Sequence, residues 1–431
     1  MSRHAEAATA PATVHAVSLQ GVRPALKVVF VNRYFFPDLS ATSQMLSDLA
    51  FRLARLGVQV HVVCSDQLYD NAAAKLPASE IIQDVHVHRT WTSRFGRARL
   101  LGRAVDYASF YVMASVALLK VLRRGDTVVA KTDPPLISIV AAVIAGIRGA
   151  HLVNWLQDVF PEVASHLSAN PLPAWMDRQL KKLRDYSLHV AQTNVVLGTR
   201  MREHLQELRI PHARIRVIEN WADGDAVIPK AVTSCVLRDG LGLQDKFVVA
   251  YSGNLGRAHE FETLLAAAEQ LQGNDRIAFL MIGGGVKMEQ LRAAVEARQL
   301  RHFHFLPYQP RELLSDSLAA ADVHLACLLP QLEGLIVPSK FYGILAAGRP
   351  TIFIGDTDGE LARIIDGSQC GVAVAIGDVA ALVMTIQRMH GDRGAREQMG
   401  ERARALFVER YTVARATRQW LEALRGDEQS P

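Results

Sequence analysis

A loop in the second half of the sequence carries residues that could bind an anionic ligand. Glu333 lies in this loop, and Pro338, Ser339 and Lys340 follow it at the start of a predicted helix. Proline suits the first turn of a helix, and a serine there can accept hydrogen bonds from free N–H groups. A lysine in the first turn is unfavourable to the helix dipole and therefore indicates a nearby anion, such as a diphosphate. Glu333 can accept hydrogen bonds from sugar hydroxyls, but a surface ion pair between Glu333 and Lys340 explains both residues equally well.

Two glycine-rich segments of the second half follow predicted strands at residues 247–251 and 278–282. Backbone N–H groups in such turns, together with an arginine, can approach an anionic group. Tight strand-to-helix geometry explains the glycines about as well. The residues concerned are Gly253, Asn254, Arg257, Gly283, Gly284 and Gly285.

Apolar strands must position these loops. Residues 323–329 form a continuous apolar run, which is typical of a strand buried on both faces of a parallel sheet. Because the carboxyl ends of parallel strands lie at one edge of a sheet, we expect the loops to converge there. Glu360 lies in the first turn of a later predicted helix, where compensation of the helix dipole is its default role.

The first half offers a second group of candidates after its own strands. Arg33 and Tyr34 follow a predicted strand at residues 26–31, and Thr42 lies at the start of the next helix. Gln157 and Asp158 follow a predicted strand at residues 151–156, where open α/β sheets place ligands. Asp158 can orient a hydroxyl group or simply cap the following loop. No Gly-x-Gly-x-x-Gly fingerprint follows the first strand, so a dinucleotide site is not predicted there.

Two motifs carry a family resemblance. The segment from Glu333 to Pro350 resembles the donor-site signature of retaining glycosyltransferases of family 4, and most closely bacterial enzymes of exopolysaccharide, colanic-acid or O-antigen biosynthesis. Gly343 stands where the family has a second Glu. The segment from Gln157 to Glu162 resembles the acceptor-side loop of the same enzymes, with Gln157 in the place of a common His.

The resemblance implies an α/β fold with two Rossmann-like domains facing across a cleft, the GT-B architecture, and a C-terminal helix that returns to the first domain. It further implies transfer of a sugar, with retained configuration, from a nucleotide sugar to a saccharide on a polyprenyl diphosphate. A UDP-sugar is expected as donor substrate, and neither a cofactor nor a metal is expected. The implied residues are Glu333, Lys340, Arg257 and Asp158 for catalysis, Gly253, Asn254, Gly283, Gly284, Gly285, Pro338, Ser339 and Glu360 for the donor, and Arg33, Tyr34, Thr42 and Gln157 for the acceptor.

Length and composition agree with two globular domains. A chain of 431 residues is too long for one ordinary core. We predict a disordered leader at residues 1–24, an acceptor domain at 25–219, a donor domain at 220–394 and a helical segment at 395–431. The net charge of +5 is too diffuse to indicate nucleic acid. The four cysteines are scattered without metal-ligand spacing, which favours buried thiols in a reducing cytoplasm.

The most unusual part of the first half is an apolar segment with basic ends. Its uncharged stretch of thirteen residues, Tyr107 to Leu119, is shorter than the roughly 20 residues that span a bilayer. We expect this segment to dock on the anionic inner surface of the cell membrane. A long core helix with solvated basic ends is the alternative. The basic residues are Arg94, Arg97, Arg99, Arg103, Lys120, Arg123 and Arg124.

Two other functions remain open from the sequence. A nucleotide-sugar epimerase of the same architecture would need paired carboxylates and a histidine in the cleft, and the sequence does not indicate such a set. An inactive, membrane-associated scaffold of a polysaccharide assembly complex is favoured by Gly343 but disfavoured by Arg257, Ser339 and Lys340 together.

Overall fold

The computed structural model describes residues 26–71, 74–96, 100–168, 173–232 and 235–426. Within these residues the chain forms two α/β units, each built around a mainly parallel sheet. The predicted fold class is therefore confirmed. The predicted leader, and Arg97 and Arg99 of the predicted docking segment, lie outside the described residues.

Apolar, β-branched runs form the first sheet. Its strands are β1 (Lys27–Val31), β2 (Gln59–Ser65), β3 (Ser79–Ile82), β4 (Val85–Thr90), β5 (Thr127–Ala130), β6 (His151–Trp155), β7 (Thr193–Val196) and β8 (Ile215–Val217). Their order is β3-β4-β2-β1-β5-β6-β7-β8, and only β3 with β4 is an antiparallel pair among the described strands. Strands β2 to β4 lie on one side of β1, and the chain then crosses over to place β5 on the other side. The strand order therefore reverses between β1 and β5. Open α/β sheets bind ligands outside the carboxyl ends of strands at such a point.

Six helices accompany this sheet in the described residues. They are α1 (Ala41–Arg55), α2 (Leu100–Val121), α3 (Ile137–Arg148), α4 (Glu162–Leu167), α5 (Ala174–Val190) and α6 (Thr199–Glu207). The prediction of a strand at residues 189–192 was wrong. The buried Arg184, Ser187 and Leu188 continue a helical spacing to the end of α5, and the strand begins only at Thr193.

Helix α2 extends beyond the uncharged stretch at both ends and includes Asp106, which accepts hydrogen bonds from the Ser93 hydroxyl and from the N–H groups of Phe95 and Gly96. Asp106, Phe110, Ala114 and Leu118 form a buried stripe facing the sheet. By length and composition alone, Leu101–Val121 is apolar enough to cross a membrane. The buried stripe packs against the first unit, while the rest of the helix is half-buried or exposed, so its outward face is available to a membrane surface.

The second sheet contains six parallel strands in the described residues. They are β9 (Phe247–Asn254), β10 (Ile277–Gly284), β11 (Phe303–Leu306), β12 (Val323–Cys327), β13 (Thr351–Gly355) and β14 (Gly371–Ala375), in the order β11-β10-β9-β12-β13-β14. Strands β9 and β10 run further than predicted: Gly283 pairs with Gly253 and Gly284 with Asn254, so the two glycine-rich segments lie side by side.

The helices of the second half cover this sheet and then return to the first unit. They are α7 (Val236–Leu241), α8 (Glu262–Leu271), α9 (Val286–Ala297), α10 (Leu314–Ala319), α11 (Lys340–Ala346), α12 (Glu360–Ser368), α13 (Val379–Gly391), α14 (Arg393–Arg410) and α15 (Val413–Arg425). Helix α14 still packs against α11, whereas α15 packs against α1. Trp420 of α15 is fully buried, with its ring 4.7 Å from that of Trp155. The predicted return of the C-terminal helix is confirmed.

The two units are joined by two neighbouring chain segments and meet at their strand ends. At the junction, the N–H of Ala222 donates to the carbonyl of Tyr411 at 3.2 Å. At the strand ends, the N–H of Val159 after β6 donates to the carbonyl of Leu335 after β12 at 2.9 Å. The loops that carry the candidate residues therefore face each other across one cleft.

Candidate active site

Lys340 begins helix α11 and lies in a polar recess of the second unit. Its Nζ atom donates a hydrogen bond to the hydroxyl of Tyr251, lies 3.7 Å from the centre of that ring and is 3.4 Å from Nε2 of His259. Burial lowers the pKa of Lys340 to about 8. Burial and the lysine charge together lower the pKa of His259 to about 3, so this imidazole is neutral. Among the described residues no carboxylate lies within ion-pair distance of Lys340, which leaves this cation available for an anionic ligand.

The glycine-rich strand ends lie beside this lysine. A Cβ atom at Gly253 would be 3.6 Å from Cε of Lys340. At Gly283, with φ of +124°, a Cβ would overlap the carbonyl of Gly253, and at Gly285, with φ of +118°, it would overlap the amide oxygen of Asn254. Larger residues would therefore push the strand ends apart. The structure brings the predicted glycines and Lys340 together at one edge of the sheet.

Glu333 follows a short 3-10 turn, Pro330–Leu332, and is partly buried. Its Oε2 atom accepts a hydrogen bond of 3.1 Å from the N–H of Glu360, while Oε1 is buried without a hydrogen-bond partner among the described residues. Burial raises the pKa of Glu333 to about 7, assisted by the charges of Asp356 and Glu360 and opposed by the Glu360 N–H and Arg200. The alternative ion pair between Glu333 and Lys340 is not formed, since each side chain has other partners.

The remaining donor-side candidates occupy varied positions. Ser339 does not cap α11 with its side chain, because its backbone is already helical and an N-cap requires extended geometry. Pro338 is partly buried beside it, and Arg257 is exposed in the loop after β9. Gly284 lies next to the ring of Tyr308. The carboxylate of Glu360 binds helix α6 of the first unit, so contact of Glu360 with the donor stays a prediction.

On the facing side of the cleft, Asp158 lies where the two units touch. Its backbone forms an antiparallel bridge with Ile336, and its Oδ1 atom is buried without a hydrogen-bond partner among the described residues. Burial raises the pKa of Asp158, while a hydrogen bond to Thr132 and the charge of Lys131 lower it. Gln157 donates from its side-chain amide to Asn220 at 3.1 Å. The unused oxygen of Asp158 is therefore available to a hydroxyl group.

Lys131 was not among the predicted site residues, yet it lies at the carboxyl end of β5 on this side of the cleft. It is 1% exposed; its Nζ donates to the carbonyl of Thr42 at 2.7 Å and lies 4.0 Å from the ring centre of Trp155. Burial lowers its pKa to about 7, against the charges of Asp133, Asp158 and Asp48. A lysine directly after the fully buried strand Thr127–Ala130 is the signal that could have identified it.

Arg33 and Tyr34 are both buried, and their contacts are structural. The guanidinium of Arg33 lies 5.3 Å from the ring centre of Tyr34 and 5.1 Å from that of Tyr107, and is 3.8 Å from the carboxylate of Asp106. These contacts attach α2 to the end of β1. Contact of Arg33, Tyr34 or Thr42 with an acceptor stays a prediction.

The described residues hold no group of three or more His, Cys, Asp or Glu side chains arranged to bind a metal ion. Each unit nevertheless places two titratable groups at its strand ends, Lys340 and Glu333 in the second unit and Lys131 and Asp158 in the first. Each lysine lies against an aromatic ring, and each carboxyl group has one oxygen without a hydrogen-bond partner among the described residues. The arrangement can hold an anion at Lys340 and hydroxyl groups at the carboxylates.

Comparison with known proteins places both units in known families. Residues 41–221 match the family described as Glycosyl transferase 4-like domain, and residues 237–406 match Glycosyl transferases group 1. The chain is 29% identical over 299 residues to WbjE of Pseudomonas aeruginosa, named as a glycosyltransferase, with 69% of this chain and 74% of WbjE covered. It is 30% identical over 155 residues to WcaI of Escherichia coli, named as a colanic acid biosynthesis glycosyl transferase, with 35% of this chain and 38% of WcaI covered.

Among solved structures, HepE of Anabaena in complex with UDP-glucose superposes with a TM-score of 0.70 at 15% identity. The superposition covers 93% of this chain and 99% of HepE. At this level of identity the similarity shows the shared two-domain fold.

Proposed function

The chain belongs to the GT-B glycosyltransferases, with a 4-like domain followed by a group 1 domain, and on this premise we propose that it transfers a sugar from a nucleotide sugar to a saccharide acceptor in cell-surface polysaccharide biosynthesis. The observation that carries the proposal is the partly buried Lys340 beside the glycine strand ends, whose ammonium group has no carboxylate partner among the described residues. The name of WcaI supports the pathway class, and the UDP-glucose complex of HepE supports a UDP-sugar donor.

In this proposal the second unit holds the donor. Lys340, assisted by Arg257, stabilises the negative charge that develops on the departing diphosphate. This preorganised charge takes the role that a metal ion has in other transferases, so the reaction is independent of metal. The free Oε1 of Glu333 accepts a hydrogen bond from a hydroxyl of the donor sugar.

The first unit presents the acceptor. Asp158 accepts a hydrogen bond from the attacking hydroxyl through its unpartnered oxygen and thereby orients that hydroxyl. The leaving phosphate takes the acceptor proton, and the new glycosidic bond forms as the bond to the diphosphate breaks. The configuration at the anomeric carbon is retained, and no covalent nucleophile of the protein takes part.

A panel of radiolabelled nucleotide sugars, incubated with the purified protein and a bacterial membrane lipid extract, tests this function. Transfer of label from a UDP-sugar into a lipid fraction, undiminished by a metal chelator, is expected. Conversion of one nucleotide sugar into another without an acceptor would instead identify an epimerase. Absence of any turnover across the panel would favour the inactive scaffold.

We further propose that the acceptor is attached to polyprenyl diphosphate and that the enzyme binds peripherally to the cytoplasmic face of the cell membrane. The outward face of α2 supports this, since it exposes a row of apolar side chains. Leu101 is 83% and Val112 63% exposed, and Val116 continues the row. Arg103 and Lys120 near the ends of the helix are exposed as well. An apolar face with cationic ends suits a membrane interface that carries anionic lipids.

Replacing Arg97, Arg99 and Arg103 together by glutamine should move the protein from membrane to soluble fractions. Each basic residue near an anionic surface contributes about 1 kcal/mol, so three lost charges weaken binding by about two orders of magnitude. Co-sedimentation with vesicles containing phosphatidylglycerol measures the change, and transfer to a short water-soluble acceptor should survive.

A matched control replaces Arg276, Arg301 and Arg388, which are exposed on the second unit, by glutamine. It removes the same charge but should leave vesicle binding nearly unchanged. Equal binding by both triple variants, insensitive to salt, would show that α2 is an ordinary domain helix.

A further inference from the structure

Glu360, the first residue of α12, contacts both units of the protein. Its Oε2 atom accepts hydrogen bonds from the N–H of Arg200 at 2.7 Å and from the hydroxyl of Thr199 at 3.0 Å, in the first turn of α6. Its own N–H donates to Oε2 of Glu333 at 3.1 Å. One residue, 7% exposed, thus connects the donor-side carboxylate to a helix of the acceptor domain.

The fit around Glu360 is too close to admit additional side-chain atoms. A Cβ atom at Gly198, directly before α6, would overlap the carboxyl group of Glu360. A Cβ atom at Gly359 would overlap the carboxylate of Glu333. The two glycines therefore allow α6, the start of α12 and the Glu333 loop to touch, and this contact exists only while the domains are together.

Neighbouring contacts strengthen the same junction. The guanidinium of Arg200 donates to the carbonyl of Asp358 at 2.6 Å and forms an ion pair with its carboxylate. On the other side, a Cβ atom at Gly334 would lie 3.1 Å from the carbonyl of Arg200. Helix α6 thus contacts Glu360 on one side of the Glu333–Glu360 hydrogen bond and the loop of Glu333 on the other.

We propose that Glu360 is a positioning residue that couples closure of the two domains to the orientation of Glu333 for the donor sugar. This inference rests on the proposed function of Glu333 but assigns Glu360 a role that does not involve contact with the donor. In the closed arrangement, Glu360 fixes one oxygen of Glu333 and leaves Oε1 free for a sugar hydroxyl. When the domains separate, the Glu360 carboxylate loses its hydrogen bonds from Thr199 and Arg200. Its negative charge then lies beside Glu333 without these donors.

The charge relation between the two carboxyl groups gives the coupling a pH signature. Glu360 and Asp356 raise the pKa of Glu333, and Arg200 lowers it. His204, which packs beside Gly334, has a lowered pKa through burial and so adds no positive charge at neutral pH. Loss of the Glu360 charge should therefore lower the pKa of Glu333. Loss of an α6 hydrogen bond, with the Glu360 charge retained, should raise it.

Two conservative variants with opposite expected shifts test the proposal. Glu360→Gln should raise the donor KM about 10- to 100-fold, the effect of losing a hydrogen bond to a charged group, and move the acidic limb of the rate profile to lower pH. Thr199→Val should also raise the donor KM but move that limb to higher pH. The affinity for UDP, which lacks the sugar, should be unchanged in both.

Asp366→Asn, at the exposed far end of α12, is the matched control and should change neither quantity. A role of Glu360 in stability alone would predict shifts of the same sign, or none, in the two variants, and that result would overturn the coupling.

Small-angle X-ray scattering gives a readout independent of activity. Gly198→Val inserts atoms where the Glu360 carboxyl lies, so we expect a larger radius of gyration than for the unaltered protein, with the helix content by circular dichroism unchanged. An unchanged scattering curve in a folded Gly198→Val variant would overturn the junction itself. If the unaltered protein transferred no sugar, the proposed function would fail, while the scattering comparison would still test domain closure.

Discussion

Lys340→Ala is expected to lower the rate of sugar transfer by about 10- to 1,000-fold, the range seen when a preorganised charge is removed from a reacting site. The lysine has no carboxylate partner in the described residues, so its removal leaves no buried anion unpaired. The melting temperature should therefore change little. Initial rates at saturating and limiting UDP-sugar, with UDP affinity measured by calorimetry, separate the loss of turnover from the loss of binding.

Lys246→Ala is a matched control directly before β9, at the opposite end of that strand from Gly253 and Lys340. It deletes the same side chain in the same unit and should leave both rate and affinity unchanged. Normal kinetics of the Lys340→Ala variant would place the diphosphate elsewhere, and Arg257 would then be the next residue to replace.

Glu333→Gln should lower sugar transfer about 10- to 100-fold, since a charged hydrogen bond to the donor sugar is lost. Binding of free UDP should be affected much less. Because the pKa of Glu333 is raised to about 7 and that of Lys340 is lowered to about 8, the rate for the unaltered enzyme should rise with pH towards about 7 and fall again above about 8, where Lys340 loses its proton. The variant should lack the rising limb, and Glu289→Gln on the exposed face of α9 should keep it.

The same substitution has a consequence for stability. A carboxyl group whose pKa is raised on folding favours the folded state while it is protonated, and this contribution is lost as the pH rises through about 7. Glu333→Gln should therefore increase the melting temperature at pH 8 more than at pH 5. Equal loss of UDP binding and of transfer, with no such pH-dependent gain, would make Glu333 a purely structural residue.

Local patterns were sufficient for the overall fold and for part of the site. Continuous apolar runs such as residues 323–329 identified central parallel strands, and the loops after those strands contained Glu333, Lys340 and Asp158. The hairpin formed by β3 and β4 was not predicted, although Val85–Thr90 begins with alternating Val and His, a pattern typical of a half-buried strand. Its pairing with β2 is set by tertiary packing, which local polarity does not reveal.

Contacts between distant parts of the chain could not be predicted. Glu360 in the first turn of α12 has the expected location for dipole compensation of its own helix, but its carboxylate instead serves α6, some 160 positions earlier. Likewise, Lys131 acquires its environment from Trp155 and Thr42, which come from separate elements. A single sequence shows residue types and spacing, whereas such pairings depend on how distant elements pack, within the first unit for Lys131 and between the two units for Glu360.

The return of helix α15 to the first unit makes that unit discontinuous in sequence, with consequences for biosynthesis. Trp420 and Leu421 belong to the same apolar core as Val28, Leu46 and Trp155. During translation the core of the first unit therefore stays incomplete until α15 has emerged, whereas all strands of the contiguous second unit emerge earlier. Nascent chains usually fold in order from the N-terminus. Here the second unit can reach its native core first, and α15, which follows the second unit in sequence, completes the first unit.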